Sequence, residues 1–433
     1  MNTMEAPTAL ARRLVAAGKR EDAERVVADL VSVNFYLPVA RVAINADWSS
    51  LNSLNGIVDV ADGRRFFFKF HQEEGEEVTV EEYYRAELLQ SAGLPVDMPA
   101  MICRRPGHQM LLYAFRRDRQ LAAACLEIER GAAVDFGPLV GLQGDLDRLT
   151  GEVYLRTLHA SRPDWSTAEP IHQLFHNRLV TAPDTTRLAG RVGRFYAGNE
   201  MRLPDVTMPW TEFANLRWRI NGVAYRHSVG ELFHESLDRL EPAKLAGGGA
   251  TIAHGDAHNA NVWIEQRDGD PRLLLFDPAF AGEHVPALLA EVKATFHNIF
   301  AHPLWLYHPA EADARFAVGV KVANGWIDIA HDWALSPMRA AFLELKAKLI
   351  WRPLLGALRD RRLLPEDWQR IVRCALFCCP TLVLNLSAGA AHGATAGRSA
   401  PMSALSFAIA VMAGSEPATG TDVFATLLAA STD

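Results

Sequence analysis

One segment restricts this chain more than any other: His254-Gly255-Asp256-Ala257-His258-Asn259-Ala260-Asn261, followed after an apolar run by Phe276-Asp277-Pro278. Ala250-Thr251-Ile252-Ala253 before it and Val262-Trp263-Ile264-Glu265 after it read as short extended segments around a loop. Gln266-Arg267-Asp268-Gly269-Asp270 then contains the Asp-Gly pair of a tight turn, and Leu273-Leu274-Leu275-Phe276 is a second apolar run. The layout predicted is loop, strand, turn, strand and then Asp-Pro. A hairpin of that kind sets a carboxylate, an amide five residues later and a second carboxylate where each can serve one site.

Those residue types suit a Mg²⁺-nucleotide. Mg²⁺ takes oxygen ligands in octahedral geometry and keeps several waters, so one Asp and one Asn plus phosphate oxygens complete the protein's share. Phosphoryl transfer passes through a loose transition state, which leaves the protein mainly to position reactants and neutralise charge. In that scheme Asn261 and Asp277 hold the metal, while Asp256 accepts a hydrogen bond from an acceptor hydroxyl and takes its proton late. The pattern H-G-D-x-H-x-x-N followed by D-P-A resembles the aminoglycoside phosphotransferase and choline kinase group, relatives of the protein kinases. The resemblance implies an α+β, protein-kinase-like two-lobed fold. It implies a small antiparallel-sheet N-lobe with one main helix and a large, mainly helical C-lobe with extra C-terminal helices. ATP and Mg²⁺ are the cofactors implied, and a small molecule the acceptor.

Such a site needs a lysine on a buried strand, a glutamate to hold it and a loop over the nucleotide. Lys69 sits in Arg65-Phe66-Phe67-Phe68-Lys69-Phe70, a bulky run with strong strand preference, where a charged side chain needs a partner. Lysine is scarce here beside abundant arginine, the others being Lys19, Lys244, Lys293, Lys321, Lys346 and Lys348. Residues 80–92 read as a helix stopped by Gly93, with Pro95 beyond. The resemblance makes Glu82 the partner of Lys69, with Glu81 and Glu87 as alternatives; Thr79-Val80-Glu81-Glu82 also fits a capping box. Ser49-Ser50-Leu51-Asn52-Ser53-Leu54-Asn55-Gly56 occupies the place of a nucleotide-covering loop, in which Ser53, Asn55 and Gly56 would offer donors to phosphate. Gln109-Met110-Leu111-Leu112-Tyr113-Ala114-Phe115 resembles the last N-lobe strand entering the hinge, where main-chain groups of Leu112 to Ala114 would meet adenine.

Composition limits the setting. With 433 residues, 49% hydrophobic and 22% charged, the chain can bury a large core and divide into two or three domains. A net charge of -7 argues against general nucleic-acid binding. The five cysteines lack metal-binding spacing and read as free thiols of a reducing, cytoplasmic compartment. The first residues lack the basic start and apolar core of a secretory signal. Residues 374–391 and 399–415 contain no charged side chain, which raises the question of a membrane span, but Pro380, Asn385, Ser387, Ser403 and Ser406 interrupt them, so buried helices are expected and no membrane partner.

The organisation expected is a helical N-terminal extension over 1–31, a nucleotide-binding lobe over 32–115, a catalytic core over 116–300 and a helical, substrate-side subdomain over 301–433. Residues 164–226 carry no readable motif. His159, in a Leu-His helix end, reads as a buried structural residue. Past Asp277 the resemblance leads one to expect a structural Asp, whereas the nearest acids are Glu283 and Glu291, so support of the loop is expected to be built differently. The scattered acids of the last third disfavour cationic aminoglycosides and favour a neutral or mildly charged alcohol or sugar. His254 and His258 read as loop scaffold. Two alternatives stay open: a non-catalytic nucleotide-binding module, and a metal-dependent hydrolase using His254, Asp256 and His258, which alternate on an extended segment.

Overall fold

The computed structural model describes residues 5–45, 53–71, 81–267, 269–301, 303–390 and 397–432. They divide into two compact units, Met1–Gln90 with Pro95–Asp118, and Ser91–Leu94 with Arg119–Asp433.

The first unit is a five-stranded antiparallel sheet backed by helices. Its strands are β1 (Val39–Ile44), β2 (Ser53–Val60), β3 (Arg65–His71), β4 (Met101–Cys103) and β5 (Met110–Ala114), in the order β1-β2-β3-β5-β4. Helices α1 (Pro7–Ala16) and α2 (Arg20–Phe35) lie on one face, and α3 (Glu81–Ser91) follows the sheet's first three strands. Ala23, Val27, Leu30 and Val31 form a stripe at helical spacing on α2 and share one core with Val42, Val58, Phe66, Phe68, Phe70 and Leu112. The expected boundary after residue 31 therefore falls inside α2. The first helices are part of the sheet unit's core, because the phenylalanine face of β3 has to be covered.

The second unit contains α4 (Leu121–Glu129), α5 (Gly137–Thr157) and many further helices. Its strands are β6 (Arg119–Gln120), β7 (Glu200–Leu203), β8 (Val206–Pro209), β9 (Arg217–Ile220), β10 (Val223–Ala224), β11 (Ala250–Ala253), β12 (Val262–Arg267), β13 (Asp270–Leu275), β14 (Gly282–Pro286), β15 (Val318–Ala323) and β16 (Trp326–His331). They form the sheets β13-β12-β6 and β11-β14, the hairpin β7-β8, and a four-stranded sheet β10-β9-β16-β15.

That last sheet adds a strand pair to the region after residue 301, where a helical subdomain is expected. Val318, Val320 and Val322 alternate with small or polar residues, and Asn324-Gly325 turns the chain with φ of 52° and 76°, the left-handed pair that a two-residue hairpin needs. β16 then pairs in parallel with β9 from the unassigned 164–226 segment. The same segment packs against the C-terminal helices: the Phe213 and Phe407 rings lie 4.9 Å apart, and Phe233, from the helix that follows it, lies 4.8 Å from Phe377.

The helix Trp368–Val383 takes in the first part of the 374–391 stretch and the helix Ala400–Gly414 nearly all of 399–415, and both are largely buried. Two of their buried hydroxyls bond within their own helix, while Ser403 Oγ is buried with no hydrogen-bond partner. Thr381 Oγ1 donates to Phe377 O at 2.7 Å, and Ser406 Oγ donates to Met402 O at 2.6 Å while accepting from Arg398 at 2.9 Å. No described helix is long and apolar enough to cross a membrane. All five cysteines are free thiols, four of them buried.

Candidate functional site

In the second unit, β11 delivers the chain into the His254 loop. Gly255 has a φ of 76°, and a Cβ there would meet Phe280 O at 2.6 Å and Ile171 Cδ1 at 2.9 Å, so glycine is required for the turn. The buried His254 ring holds the loop from both nitrogens: Nε2–H donates to Phe276 O at 3.0 Å, and Nδ1 accepts from Asp256 N at 3.3 Å. Burial holds its pKa below the ordinary histidine value, in keeping with this neutral tautomer. His254 is scaffold and has no nitrogen left for a metal.

Asp256 O accepts from His258 N at 2.8 Å and from Asn261 Nδ2 at 2.9 Å. The Asp256 side chain is only 13% exposed, and its Oδ1 is buried with no hydrogen-bond partner. Such an atom costs stability unless something else donates to it. His258 Nδ1 accepts from Ala260 N at 3.3 Å, and burial pulls this ring down as well. Its Nε2 lies 3.7 Å from Asp256 Oδ2, beyond a hydrogen bond.

The hairpin β12-β13 then brings Asp277 back. Its register runs from Val262 opposite Leu275 to Arg267 opposite Asp270, one residue pair after another. Phe276 N consequently donates to Asn261 O at 3.0 Å, and Phe276 O accepts from His254. The residue before Asp277 is thus pinned on one side to Asn261 and on the other to the head of the loop. Asp277 itself has a φ of 58°, a left-handed conformation that Asp tolerates better than most residues.

The loop is supported from behind by a segment whose role the sequence did not reveal. Asn259 N donates to Asn298 Oδ1 at 2.8 Å, and Asn298 O accepts from the buried Arg339 at 2.6 Å. Arg339 in turn donates to Glu129 at 2.9 Å. Glu291 serves a separate buried network, in which Lys346 donates to it at 2.7 Å and to Asp147 at 2.6 Å. Burial opposes the Lys346 charge, but the two carboxylates outweigh it and raise the pKa. Support through Asn298 rather than an acid just past Asp277 matches the departure noted in the sequence.

Lys293 was also missed, and it reaches the site. It is 4% exposed, and its Nζ lies 3.9 Å from Asp256 Oδ1 and 2.8 Å from His297 Nε2. The signals available were the scarcity of lysine and the four-residue spacing of Lys293 and His297. His159 is half-buried and structural: it exchanges main-chain bonds of 2.9 Å with Ala250 and meets His284 Nδ1 at 2.9 Å through Nε2.

A divalent cation can be tested against these residues. The Asn261 amide donates to Asp256 O at 2.9 Å, so its oxygen would be the coordinating end, and Asp277 would add a carboxylate oxygen. Two hard oxygen donors fit Mg²⁺, which takes its remaining ligands from water and phosphate. The hydrolase reading fares worse. Among the described residues no group of three or more His, Cys, Asp or Glu could hold a metal, and the nitrogens of His254 are already spent.

In the first unit Lys69 lies on β3, buried and paired in register with Asn55 and Leu111, so these three share the face opposite Phe68. Asn55 and Gly56 are strand residues of β2, not loop. Asn55 Oδ1 accepts from Asn45 at 2.8 Å. A Cβ at Gly56 would strike Ala43 O at 2.2 Å and the Phe68 ring at 2.7 Å, so this glycine serves close strand packing. Ser53 begins β2; its side chain, like residues 46–52 and the side chain of Glu82 in the first turn of α3, lies outside the described set. Leu112 lies in the middle of the sheet between β3 and β4, and its carbonyl accepts from Ala100 N at 2.7 Å. Ala114 ends β5 and is exposed.

No protein-family model matches the chain, and no curated protein matches it. Solved structures similar to it include a microcompartment-associated aminopropanol kinase, 11% identical over 90% of this chain and 95% of that one, with a TM-score of 0.40. A macrolide 2'-phosphotransferase type I is 12% identical over 83% and 96%, with a TM-score of 0.35. A macrolide 2'-phosphotransferase from Brachybacterium faecium is 14% identical over 82% and 98%, with a TM-score of 0.33. At identities this low, function has to be read from the side chains.

Proposed function

We propose that the protein is an ATP-dependent small-molecule kinase of protein-kinase-like fold, moving the γ-phosphoryl group to a hydroxyl of a cytoplasmic alcohol or sugar. The observation that carries this is the pinning of Phe276 between Asn261 O and His254 Nε2, which docks Asp277 onto the loop of Asp256 and Asn261. Asn261 and Asp277 would hold Mg²⁺, which when bound neutralises phosphate charge. Asp256 Oδ1, buried and lacking a donor, accepts the hydrogen bond of the acceptor hydroxyl, orients it and takes its proton as the bond to phosphorus forms. Lys69 is assigned to the phosphates, held by Glu82, and the β5 end near Ala114 to adenine through main-chain groups.

The test is a panel of metabolite alcohols and sugars incubated with Mg²⁺-ATP, scored by ADP release. A rise with one acceptor, abolished in Asp256→Ala while nucleotide binding survives, supports the reading. Nucleotide binding with no turnover on any acceptor or water would leave a binding module instead.

A further inference from the structure

Lys293 is the buried group beside Asp256 that the proposed reaction leaves unused. The helix Val292–Thr295 runs into a π-helical turn, Phe296–Phe300, and this widened turn carries His297. Lys293 Nζ lies 2.8 Å from His297 Nε2, and His297 Nδ1 lies 2.9 Å from Tyr307 Oη. Burial, and next the charge of Lys293, hold the His297 pKa well below its usual value. The neutral ring accepts from the ammonium through Nε2, and its Nδ1–H donates to Tyr307. This leaves the ammonium with further hydrogens to donate.

Across 3.9 Å stands Asp256 Oδ1, buried and without a donor. That separation is too long for a direct bond between the two. It suits one oxygen placed between them. With roughly 2.7 Å to Oδ1 and roughly 2.9 Å to Nζ, the angle at that oxygen is about 90°, which a hydroxyl can satisfy by donating to one and accepting from the other.

We propose that Lys293 is a further catalytic residue, its Nζ holding the oxygen of the acceptor hydroxyl whose proton passes to Asp256 Oδ1, with His297 and Tyr307 as its positioning residues. The inference rests on the phosphotransferase reading. In the step, the O–H bond breaks and its proton goes to Oδ1, the oxygen bonds to the γ-phosphorus, and ADP leaves with the electron pair of the broken P–O bond. Lys293 keeps its protons and offsets negative charge developing on the attacking oxygen. An acceptor with an ammonium group on the carbon next to the hydroxyl would be repelled, so the reacting hydroxyl belongs to a neutral or anionic neighbourhood.

Water serves as the acceptor in the test, with ADP release from Mg²⁺-ATP as readout. Lys293→Met keeps the length and removes the charge; its turnover should fall about 10²-fold, the scale for one preorganised donor, with Mg²⁺-ATP affinity by calorimetry within about twofold. In Lys293→Ala, added methylammonium should recover at least about tenfold of the loss, and methanol should not. A structural lysine would show neither the split between turnover and affinity nor rescue by a cation. Turnover of Lys293→Met within about threefold of the natural protein overturns the proposal. Should the Met variant unfold, a folded Lys293→Ala that methylammonium fails to rescue overturns it as well. A natural protein that neither binds nor hydrolyses Mg²⁺-ATP removes the phosphotransferase reading itself, so the two failures are distinct.

Discussion

Replacing Asp256 with Asn separates what this carboxylate does for the reaction from what it does for the fold. Asn keeps the shape and can still accept a hydrogen bond, but it cannot take a proton. General base catalysis contributes about 10²–10⁴-fold, or roughly 3–5 kcal/mol of the barrier. The folded state carries two opposed terms. At 3.9 Å from Lys293 Nζ, the carboxylate gains roughly 4 kcal/mol of gross attraction at an effective dielectric near 20. Against this, taking a carboxylate out of water costs several kcal/mol, and Oδ1 has no donor to offset it. The terms are of similar size, so Asp256→Asn should melt within a few degrees of the natural protein while ADP release falls at least about a hundredfold. Calorimetric melting and ADP release from Mg²⁺-ATP, with the best acceptor of the panel, measure both. Turnover within about tenfold of the natural protein would remove Asp256 from the proton's path.

Asp277→Ala should abolish the Mg²⁺-dependent part of ATP binding in calorimetry, whereas Asp256→Asn should retain it; equal binding by both variants would unseat Asp277 as a ligand. Asn298→Ala leaves the buried Asn259 N–H without its acceptor, so chemical denaturation should show a loss of about 1–3 kcal/mol, with turnover reduced more than nucleotide affinity. Acid should destabilise the fold through His172, which is 1% exposed and donates Nε2–H to Ser166 O at 2.8 Å. Burial lowers its pKa from 6.5 to about 4. The unfolded chain takes up the proton first, so this contribution is complete above pH 6.5 and declines as pH falls towards 4, by about 3 kcal/mol in all. His172→Gln should flatten that part of the melting profile, and an unchanged slope would refute the assignment.

The hairpin between Asn261 and Asp277 was legible because its signals are local. Strand-forming residues flank an Asp-Gly turn, so register follows from the chain itself. The phenylalanine run of β3 and the buried low-charge helices were legible for the same reason: strand preference and the lack of charged side chains are properties of the segment itself. The Asn-Gly turn between β15 and β16 is equally local, but it lies in a region whose other segments are helical. Placing Asn55 and Gly56 in a loop failed differently. Polar and small residues suggest a turn, yet close approach of Ala43 and the Phe68 ring demands a glycine inside β2.

What sequence alone determined is the set of chemical groups on the His254 loop and the path that returns Asp277 to it, since both depend on bonds between near neighbours along the chain. Tertiary structure alone decided that β9 pairs with β16, that Asn298 bears the loop, and that Lys293 faces Asp256. Each of those contacts joins elements far enough apart in sequence that neither carries a pattern naming the other. The packing of the whole second unit is what brings them within bonding distance.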